Sequence, residues 1–313
     1  MVEFLKLDWW NFLKDFCEDP GMMLGRTKDI LAHGTGEGKK KRILAALRAA
    51  DANLRQQFAE EIRFVLQHET EGFQIFPYPA GGIVNVDAGF DKAAGMPYVV
   101  HDSKRLYFPS RCSVGDAEAG YRSLLEWEDI LGRGNRAKSP HRYTDSMHAV
   151  DRGDIVLDVG CAEGLFALDN VDKAKHVYLF EPLSRWEAPV NATFAPFADK
   201  TTFAKKLVGD RTGGDMVRLS DAVKSGEDDV YFLKMDVEGW EGTILSASRD
   251  FLTSNKVKVS CCAYHRQEDE RNLTQLLASM GFSVRVSDGY MLPLLGEIKP
   301  PYFRRGVIYG RNF

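Results

Sequence analysis

Cysteine is scarce in this chain, and its spacing does not suit cross-links or metal binding. The 313 residues include five cysteines, an odd number, and no two of them form a CxxC pair. A disulfide framework or a cysteine-based zinc site is therefore not expected. The pattern favours a reducing, cytoplasmic environment.

Long hydrophobic runs and an excess of positive charge are also missing. No stretch approaches the roughly 18 apolar residues of a membrane-spanning helix, and the first residues, MVEFLKLDWW, carry acids rather than a basic leader. A net charge of −4 argues against a general nucleic-acid binder. The short basic run Lys39–Arg42 is interpreted as a solvated segment. We therefore predict no nucleic-acid partner and no stable membrane insertion.

The first 143 residues are predicted to form two additions to a larger domain. Residues 1–70 carry apolar side chains at helical spacing, which predicts a helical extension with helices over Phe4–Phe16 and, as one long helix or two, over Lys41–Gln67. Residues 71–143 are predicted to form a connecting region. It contains a β-hairpin that turns at Asp102–Ser103 and a helix over Ser113–Leu131.

Residues 144–313 are predicted to form one α/β domain. Short apolar runs of strand length alternate with helical segments, which predicts a mostly parallel, doubly wound sheet with right-handed crossovers. Phe203–Val208 is predicted as its third strand.

The glycine-bearing turn in this domain is the most informative feature of the sequence. Residues 154–164 read DIVLDVGCAEG: Ile155–Val159 is typical of a buried strand, and the segment from Gly160 to Gly164 turns that strand into a helix. A second apolar run, VYLF, ends at Glu181, about where α/β proteins place the acid that binds ribose hydroxyls. The spacing predicts a nucleotide-like ligand.

The acids in the turn indicate which ligand this is. A dinucleotide fingerprint needs GxGxxG, whereas this chain has GxxxG with Asp158 before the turn and Glu163 within it. Carboxylates there repel a pyrophosphate and suit a positively charged ligand such as S-adenosylmethionine, which we favour over NAD. An ordinary turn without a ligand is the alternative.

Two further strand ends carry polar groups. Val230–Met235 is followed by Asp236 and Glu238, and the run Val257–Ala263 is followed closely by His265. In open α/β sheets ligands bind outside the carboxyl ends of the strands, so these groups are expected to line one crevice.

The chain resembles the FkbM-type S-adenosylmethionine-dependent methyltransferases. The resembling stretches are DVGCAEGLFAL, LFEP, FLKMDVEGWE, AYHRQED, GFSVRVSDGYM and SPHRY, and they fall within about residues 97–310. The resemblance implies a Rossmann-like class I methyltransferase fold closed by an antiparallel strand, with Phe282–Val286 and Val307–Tyr309 as the last pair. It also implies O-methyl transfer, in many members to sugars. Cys161, Ala162 and Glu163 depart from the Asn-containing turn of many members.

Candidate site residues follow from these patterns. The cofactor is expected to contact the strand ends and the turn, and the residues assigned to it are Asp158, Gly160, Cys161, Ala162, Glu163, Gly164, Glu181, Asp210 and Asp236. The place of Asp210 beside the adenine is implied by the resemblance alone. The residues assigned to the acceptor are His141, Arg142, Tyr143 and Glu238. Cys161 is interpreted as a small residue that fits the turn rather than as a nucleophile.

His265 and Asp236 are the predicted catalytic residues. A histidine with an unperturbed pKa near 6.5 accepts a proton at neutral pH, which makes His265 the first candidate for the base. A divalent metal is possible but not expected, because Asp236 and Glu238 supply only two ligands. A non-catalytic module that binds the cofactor and recruits a partner is the alternative function. The acceptor's identity and the oligomeric state are not specified by the sequence.

Overall fold

Three helices begin the described part of the chain. The computed structural model describes residues 36–70, 75–79, 85–134, 137–224, 226, 228–293 and 299–313. The helices are α1 (Gly36–Arg48), α2 (Ala52–Gln57) and α3 (Ala59–Gln67). The sequence predicts fewer helices here; α2 begins separately because the Asp51 side chain accepts a hydrogen bond from Leu54 N at 2.8 Å and caps it. The helix predicted over Phe4–Phe16 lies outside the described residues.

The basic run in α1 is only partly solvated. Lys41 and Arg42 are exposed as predicted, but Lys39 is buried. None of the described helices is long and apolar enough to span a membrane.

A three-stranded antiparallel sheet follows, made of β1 (Ala88–Asp91), β2 (Met96–His101) and β3 (Lys104–Tyr107). The predicted hairpin is confirmed: Asp102 and Ser103 form its turn with φ angles of 46° and 66°, the left-handed conformation that tight hairpin turns need. The next helix, α4 (Val114–Arg122), runs directly into a π-helix over Ser123–Trp127.

The rest of the chain alternates strands and helices. The strands are β4 (Ile155–Val159), β5 (His176–Phe180), β6 (Thr201–Ala204), β7 (Leu207–Val208), β8 (Met216–Val217), β9 (Val230–Met235), β10 (Lys256–Cys262), β11 (Ser283–Val286) and β12 (Val307–Arg311). The helices are α5 (Leu165–Asn170), α6 (Ser184–Phe194), α7 (Leu219–Ala222), α8 (Glu241–Ala247), α9 (Arg249–Ser254) and α10 (Asp269–Ala278), and a 3₁₀ turn covers Ala195–Phe197.

Seven of these strands form the main sheet, in the order β6-β5-β4-β9-β10-β12-β11. β12 runs antiparallel to both of its neighbours, and the other pairs are parallel. The predicted doubly wound, mostly parallel sheet is therefore confirmed. The strand predicted over Phe203–Val208 is wrong in extent, because β6 ends at Ala204 and Leu207–Val208 pairs with β8 in a separate two-stranded sheet. The strand order reverses beside β4, which puts the crevice between the ends of β4 and β9.

Both faces of the main sheet are buried. Side chains alternate along β4: Val156 packs on one face with α5, α6 and the hairpin, and Leu157 packs on the other with α8, α9 and α10. A third apolar cluster joins α1 and α3 to Leu292 and Phe303 near the C-terminus. The N-terminal helices are thus anchored on the segments that connect the last strands.

Candidate active site at the ends of β4, β5, β9 and β10

The turn after β4 lies against the end of β9. Gly160 has a φ angle of 72°, and a Cβ added to it would lie 1.9 Å from the carbonyl oxygen of Asp236. A side chain is excluded at this close approach. Asp236 N in turn donates a hydrogen bond to Val159 O at 3.1 Å. The two strand ends therefore form one continuous edge.

A buried ion pair lies beneath this edge. Asp158 is fully buried, and its Oδ1 is 3.0 Å from Nζ of Lys234 on β9, which also donates to Gly160 O at 2.6 Å. Burial alone would lower the pKa of Lys234, but the negative charges of Asp158 and Asp236 raise it, so the ammonium stays charged. The sequence predicts that Asp158 faces the cofactor's positive charge; the structure gives its carboxylate to Lys234 instead. Asp158 is thus connected to the turn through Lys234, which contacts both Asp158 and Gly160.

Two other acids adjoin the turn. Glu181, which follows β5, accepts hydrogen bonds from Ala162 N at 3.1 Å and Leu183 N at 2.9 Å. Glu163 is buried, and burial raises its pKa to about 7; burial raises the pKa of Glu181 as well. A positive charge placed near either carboxyl would stabilise its ionised form.

Cys161 occupies the same turn as a buried thiol. Burial raises its pKa well above the ordinary range, and the negative charges of Asp158 and Glu181 act in the same direction. The thiol therefore stays protonated, which agrees with its interpretation as a small filling residue. Gly164, with a φ angle of 84°, caps the start of α5 beyond it.

Asp236 is the centre of the second half of the site. Its Oδ2 accepts a hydrogen bond from the Tyr143 hydroxyl at 2.8 Å and lies 3.5 Å from His141 Nε2. Its Oδ1 lies 3.4 Å from His265 Nε2 and 3.5 Å from the Tyr264 hydroxyl. Residues predicted from three separate stretches of sequence therefore meet around one carboxylate.

Each histidine has a second carboxylate behind it. Nδ1 of His141 is 3.2 Å from Glu128 Oε2, and Nδ1 of His265 is 2.7 Å from Glu241 Oε1. Both histidine side chains are only 3% exposed. The side chains form an alternating row in the order Glu128, His141, Asp236, His265 and Glu241, in which negative and positive groups follow one another.

This row fixes the charges of its members. Burial alone would lower the pKa of His265, but Glu241, Glu238 and Asp236 raise it to about 9; Asp236 and Glu128 raise that of His141 to about 9. Burial alone would raise the pKa of Asp236, but the two histidines hold it far below its usual range. The expectation of an unperturbed pKa for His265 is therefore wrong in this arrangement: both histidines carry a proton at neutral pH.

Glu238 forms the open rim of this half-site. Its side chain is 55% exposed, and its Oε2 lies 3.6 Å from His265 Nε2. Its backbone adopts a φ angle of 55°, and Gly239 follows with 92°, so the chain turns sharply between β9 and α8.

Two predicted site residues lie outside the row around Asp236. Asp210 follows β7, and its side chain is 62% exposed. Its Oδ1 lies 3.6 Å from a guanidinium nitrogen of Arg211. Arg142 packs against Gly132, where an added Cβ would lie 2.2 Å from Arg142 Cδ. The structure brings neither into the row around Asp236.

Four contributors were not predicted from the sequence: Glu128, Lys234, Glu241 and Tyr264. Lys234 carries the clearest signal, a lone cation inside the apolar strand VYFLKM. Glu241 lies within the quoted motif FLKMDVEGWE. Glu128 has no signal of its own, because it reaches His141 through the π-helix that precedes it.

The strand order, the glycine turn after β4 and the acid after β5 define a Rossmann-like, class I methyltransferase fold. Residues 215–284 match the model of the methyltransferase FkbM domain, which confirms the resemblance seen in the sequence over that segment. Among curated proteins none matches the chain.

Several solved structures are similar at low identity. The FkbM methyltransferase from Methylobacillus flagellatus KT is 22% identical, with 53% of this chain and 45% of that chain covered and a TM-score of 0.42. The precorrin-6y C5,15-methyltransferase from Geobacter metallireducens GS-15 is 12% identical, with 54% of this chain and 83% of that chain covered and a TM-score of 0.36. An rRNA methylase from Streptococcus thermophilus is 13% identical, with 52% of this chain and 88% of that chain covered and a TM-score of 0.34. The match therefore spans less than half of the FkbM methyltransferase.

Proposed function

We propose that this protein is an S-adenosylmethionine-dependent O-methyltransferase that acts on a hydroxyl of a sugar or glycan-type acceptor. The observation that carries the proposal is the contact between the two half-sites at Gly160 and Asp236. A turn that favours a cationic nucleotide-like ligand and a carboxylate flanked by histidines share one edge of the sheet. Methyl transfer requires this proximity of donor and acceptor.

On the donor side, the residues proposed to hold the cofactor are Gly160, Cys161, Ala162, Glu163, Gly164 and Glu181. Bound S-adenosylmethionine supplies an electrophilic methyl group on a positively charged sulfur. The fit rests on Glu163 and Glu181, two buried acids at the turn whose pKa values are raised by burial and would be lowered again by a bound positive charge. Glu181 lies at the strand end where α/β proteins bind ribose hydroxyls.

On the acceptor side, Asp236 and His265 are proposed as the catalytic pair. The acceptor hydroxyl binds between Asp236 Oδ1 and His265 Nε2, which are 3.4 Å apart. Asp236 remains ionised and orients the hydroxyl, while Tyr143 and His141 fix the carboxylate from its other oxygen. The neutral form of His265 would take the hydroxyl proton as the oxygen accepts the methyl group, and because the pKa of His265 is about 9, that form increases as the pH rises toward 9. Positioning of this kind supplies much of the rate acceleration in group transfer.

The composition of the acceptor side supports a sugar. The rings of Tyr143 and Tyr264 lie 5.3 Å and 5.2 Å from that of His141, and Phe76 stacks on the same histidine at 6.2 Å. Phe76, His141 and Tyr143 are buried, so the groups that remain to bond a ring with several hydroxyls are the exposed Glu238 carboxylate and the partly exposed Tyr264.

Two measurements test the proposal. Calorimetry should detect binding of S-adenosylmethionine and none of NAD. Incubation of the protein with methyl-labelled S-adenosylmethionine and a glycan and metabolite extract should transfer label, and His265→Ala should lower that transfer 100-fold or more while cofactor affinity stays within a few fold.

A matched histidine serves as the control. His176 begins β5 at the opposite end of that strand from Glu181, so His176→Ala should transfer label at the wild-type rate. Binding of NAD alone would refute the proposal. Binding of S-adenosylmethionine without any label transfer would favour the non-catalytic binding module.

A further inference from the structure

An arginine lies beside the rim of the candidate active site. The segment after β9 runs next to the segment after β10: Glu238 Oε2 lies 3.6 Å from His265 Nε2, and one residue further along, Gly239 faces Arg266. A Cβ added to Gly239 would lie 3.1 Å from Arg266 Nε and 3.5 Å from its Nη2, so the guanidinium lies against the glycine backbone. Gly239 has a φ angle of 92°, and the missing side chain leaves room for this approach.

The Arg266 guanidinium is open to a ligand. Within the described ranges it forms neither a salt bridge nor a hydrogen bond, and Asp269 accepts a bond from the Arg266 backbone N, at 2.7 Å, instead of from the side chain. Arg266 is exposed. Its planar group presents paired N–H donors that fit two oxygens of a carboxylate or a phosphate. The rim therefore holds a cation that is placed but not neutralised.

An exposed tryptophan follows the same turn. Trp240 is 52% exposed, and its ring has no aromatic or cationic neighbour in the part of the chain that the structure describes. It comes directly after the glycine that Arg266 contacts and two residues after the exposed Glu238. The apolar face of a sugar ring packs on an indole surface of this kind. The turn thus presents an anion, a cation and an aromatic surface to solvent.

From this arrangement we propose that the acceptor is an acidic sugar: Arg266 binds its carboxylate or phosphate group, and Trp240 packs against its ring. The inference rests on the proposed function, because it names the acceptor class of that same site. The opposite charges at the rim give the acceptor one orientation. Glu238 and Asp236 repel an oxyanion and accept from hydroxyls, so the hydroxyl end faces them and the anionic end faces Arg266.

The charge of the methylated product tests this acceptor class. The full-length protein is incubated with methyl-labelled S-adenosylmethionine and a glycan and metabolite extract, and the mixture is passed over an anion exchanger at neutral pH. Because the methyl group joins a hydroxyl, the product keeps its acidic group and most of the transferred label should be retained. Unreacted S-adenosylmethionine is a cation and passes through. Phosphatase treatment distinguishes the two acids: label on a phosphate monoester should move to the flow-through, and label on a carboxylate should stay.

Variants at the rim test the residues. Arg266→Gln should lower label transfer about tenfold or more at limiting extract, because a charge-assisted contact is lost, while the affinity for S-adenosylmethionine stays at the wild-type value. The loss should shrink as the extract is made more concentrated, since the arginine binds the acceptor and takes no part in the chemistry. Trp240→Ala should lower transfer about fivefold at limiting extract. The control is Arg271→Gln: Arg271 is 65% exposed and pairs with Glu268, so transfer should keep the wild-type rate.

The outcomes separate this inference from the proposed function. Transfer of label to neutral products, or equal rates in the wild type and Arg266→Gln, overturns the acidic acceptor and leaves the methyltransferase standing. Absence of label transfer to any product overturns both. A wild-type rate in Trp240→Ala overturns the role of the indole.

Discussion

At the scale of single residues, Glu181 is the clearest test of the cofactor half-site. It is buried after β5 and bonds to Ala162 N and Leu183 N, so its carboxylate is already oriented. Glu181→Ala should weaken S-adenosylmethionine binding by about 1.5–3 kcal/mol, the cost of losing a charged hydrogen-bond acceptor. Calorimetry at fixed pH measures the change.

A nearby glutamate provides the control for that substitution. Glu187 on α6 is 45% exposed and pairs with Lys205, so Glu187→Ala should bind the cofactor as the wild type does. Wild-type affinity in Glu181→Ala would show that the acid after β5 does not contact the cofactor.

The raised pKa of Glu163 predicts that cofactor affinity depends on pH. Burial raises its pKa to about 7, so the carboxyl is mostly protonated below that pH and mostly ionised above it. A cationic ligand binds the ionised form better, so affinity for S-adenosylmethionine should fall about five- to tenfold from pH 8 to pH 6. Because the ligand's own amine titrates in this range, Glu163→Gln is the necessary comparison. Its affinity should vary less with pH, and an identical pH profile in the variant would contradict the assignment.

Residue positions were predictable where a polar group follows a strand end. Asp236, Glu238 and His265 lie just after apolar runs, and topology alone places such groups at one edge. Glu128 and Lys234 were not predictable in the same way, because the first depends on the local helix geometry and the second on which strand neighbours β4. Asp158 is an intermediate case. Its position at the end of β4 was predicted, but its ion pair with Lys234 was not.

At the scale of elements, the ion pair between β4 and β9 has the largest expected effect. Lys234→Met leaves the Asp158 carboxylate buried without its cation, which should lower the free energy of unfolding by about 3–5 kcal/mol. Urea denaturation measures this change. The double variant Asp158→Asn with Lys234→Met should recover a large part of the loss, because no uncompensated charge remains.

An exposed pair is the matched comparison for the buried one. Lys205→Met breaks the contact between Lys205 and Glu187, whose side chains are 41% and 45% exposed. This substitution should lower the free energy of unfolding by less than about 1 kcal/mol. Equal losses in Lys205→Met and Lys234→Met would mean that burial does not strengthen the pair between the strands.

Element boundaries followed the sequence closely where strands are buried on both faces. Val230–Met235 has the same bounds in the sequence prediction and in β9. Phe203–Val208 failed because β6 lies at the edge of the sheet, where partial exposure weakens the apolar pattern that marks a strand. The helices over Lys41–Gln67 share one apolar periodicity, which conceals the caps that divide them.

At the scale of the whole molecule, Phe58 connects the N-terminal helices to the rest of the protein. It is 1% exposed, and its ring lies 4.8 Å from that of Tyr290 and 5.0 Å from that of Phe303. Phe58→Ala should cost about 3–5 kcal/mol of stability in this region. Hydrogen exchange should increase in α1 and α3, with little change in β4 and β9.

A surface phenylalanine shows what the same truncation does without burial. Phe90 on β1 is 51% exposed, and Phe90→Ala should change stability by about 0.5 kcal/mol or less. Unchanged exchange in α1 and α3 of Phe58→Ala would mean that these helices are held by other contacts.

The close approach of Gly160 to the Asp236 carbonyl also bears on how such a protein diversifies. With 1.9 Å between that oxygen and any added Cβ, the turn after β4 and the end of β9 cannot be reshaped independently. A lineage that changes its ligand must therefore do so through side chains that touch neither Gly160 nor the Asp236 carbonyl. The turn after β4 and the end of β9 are inherited as one unit, and selection for new ligands acts on the side chains around them.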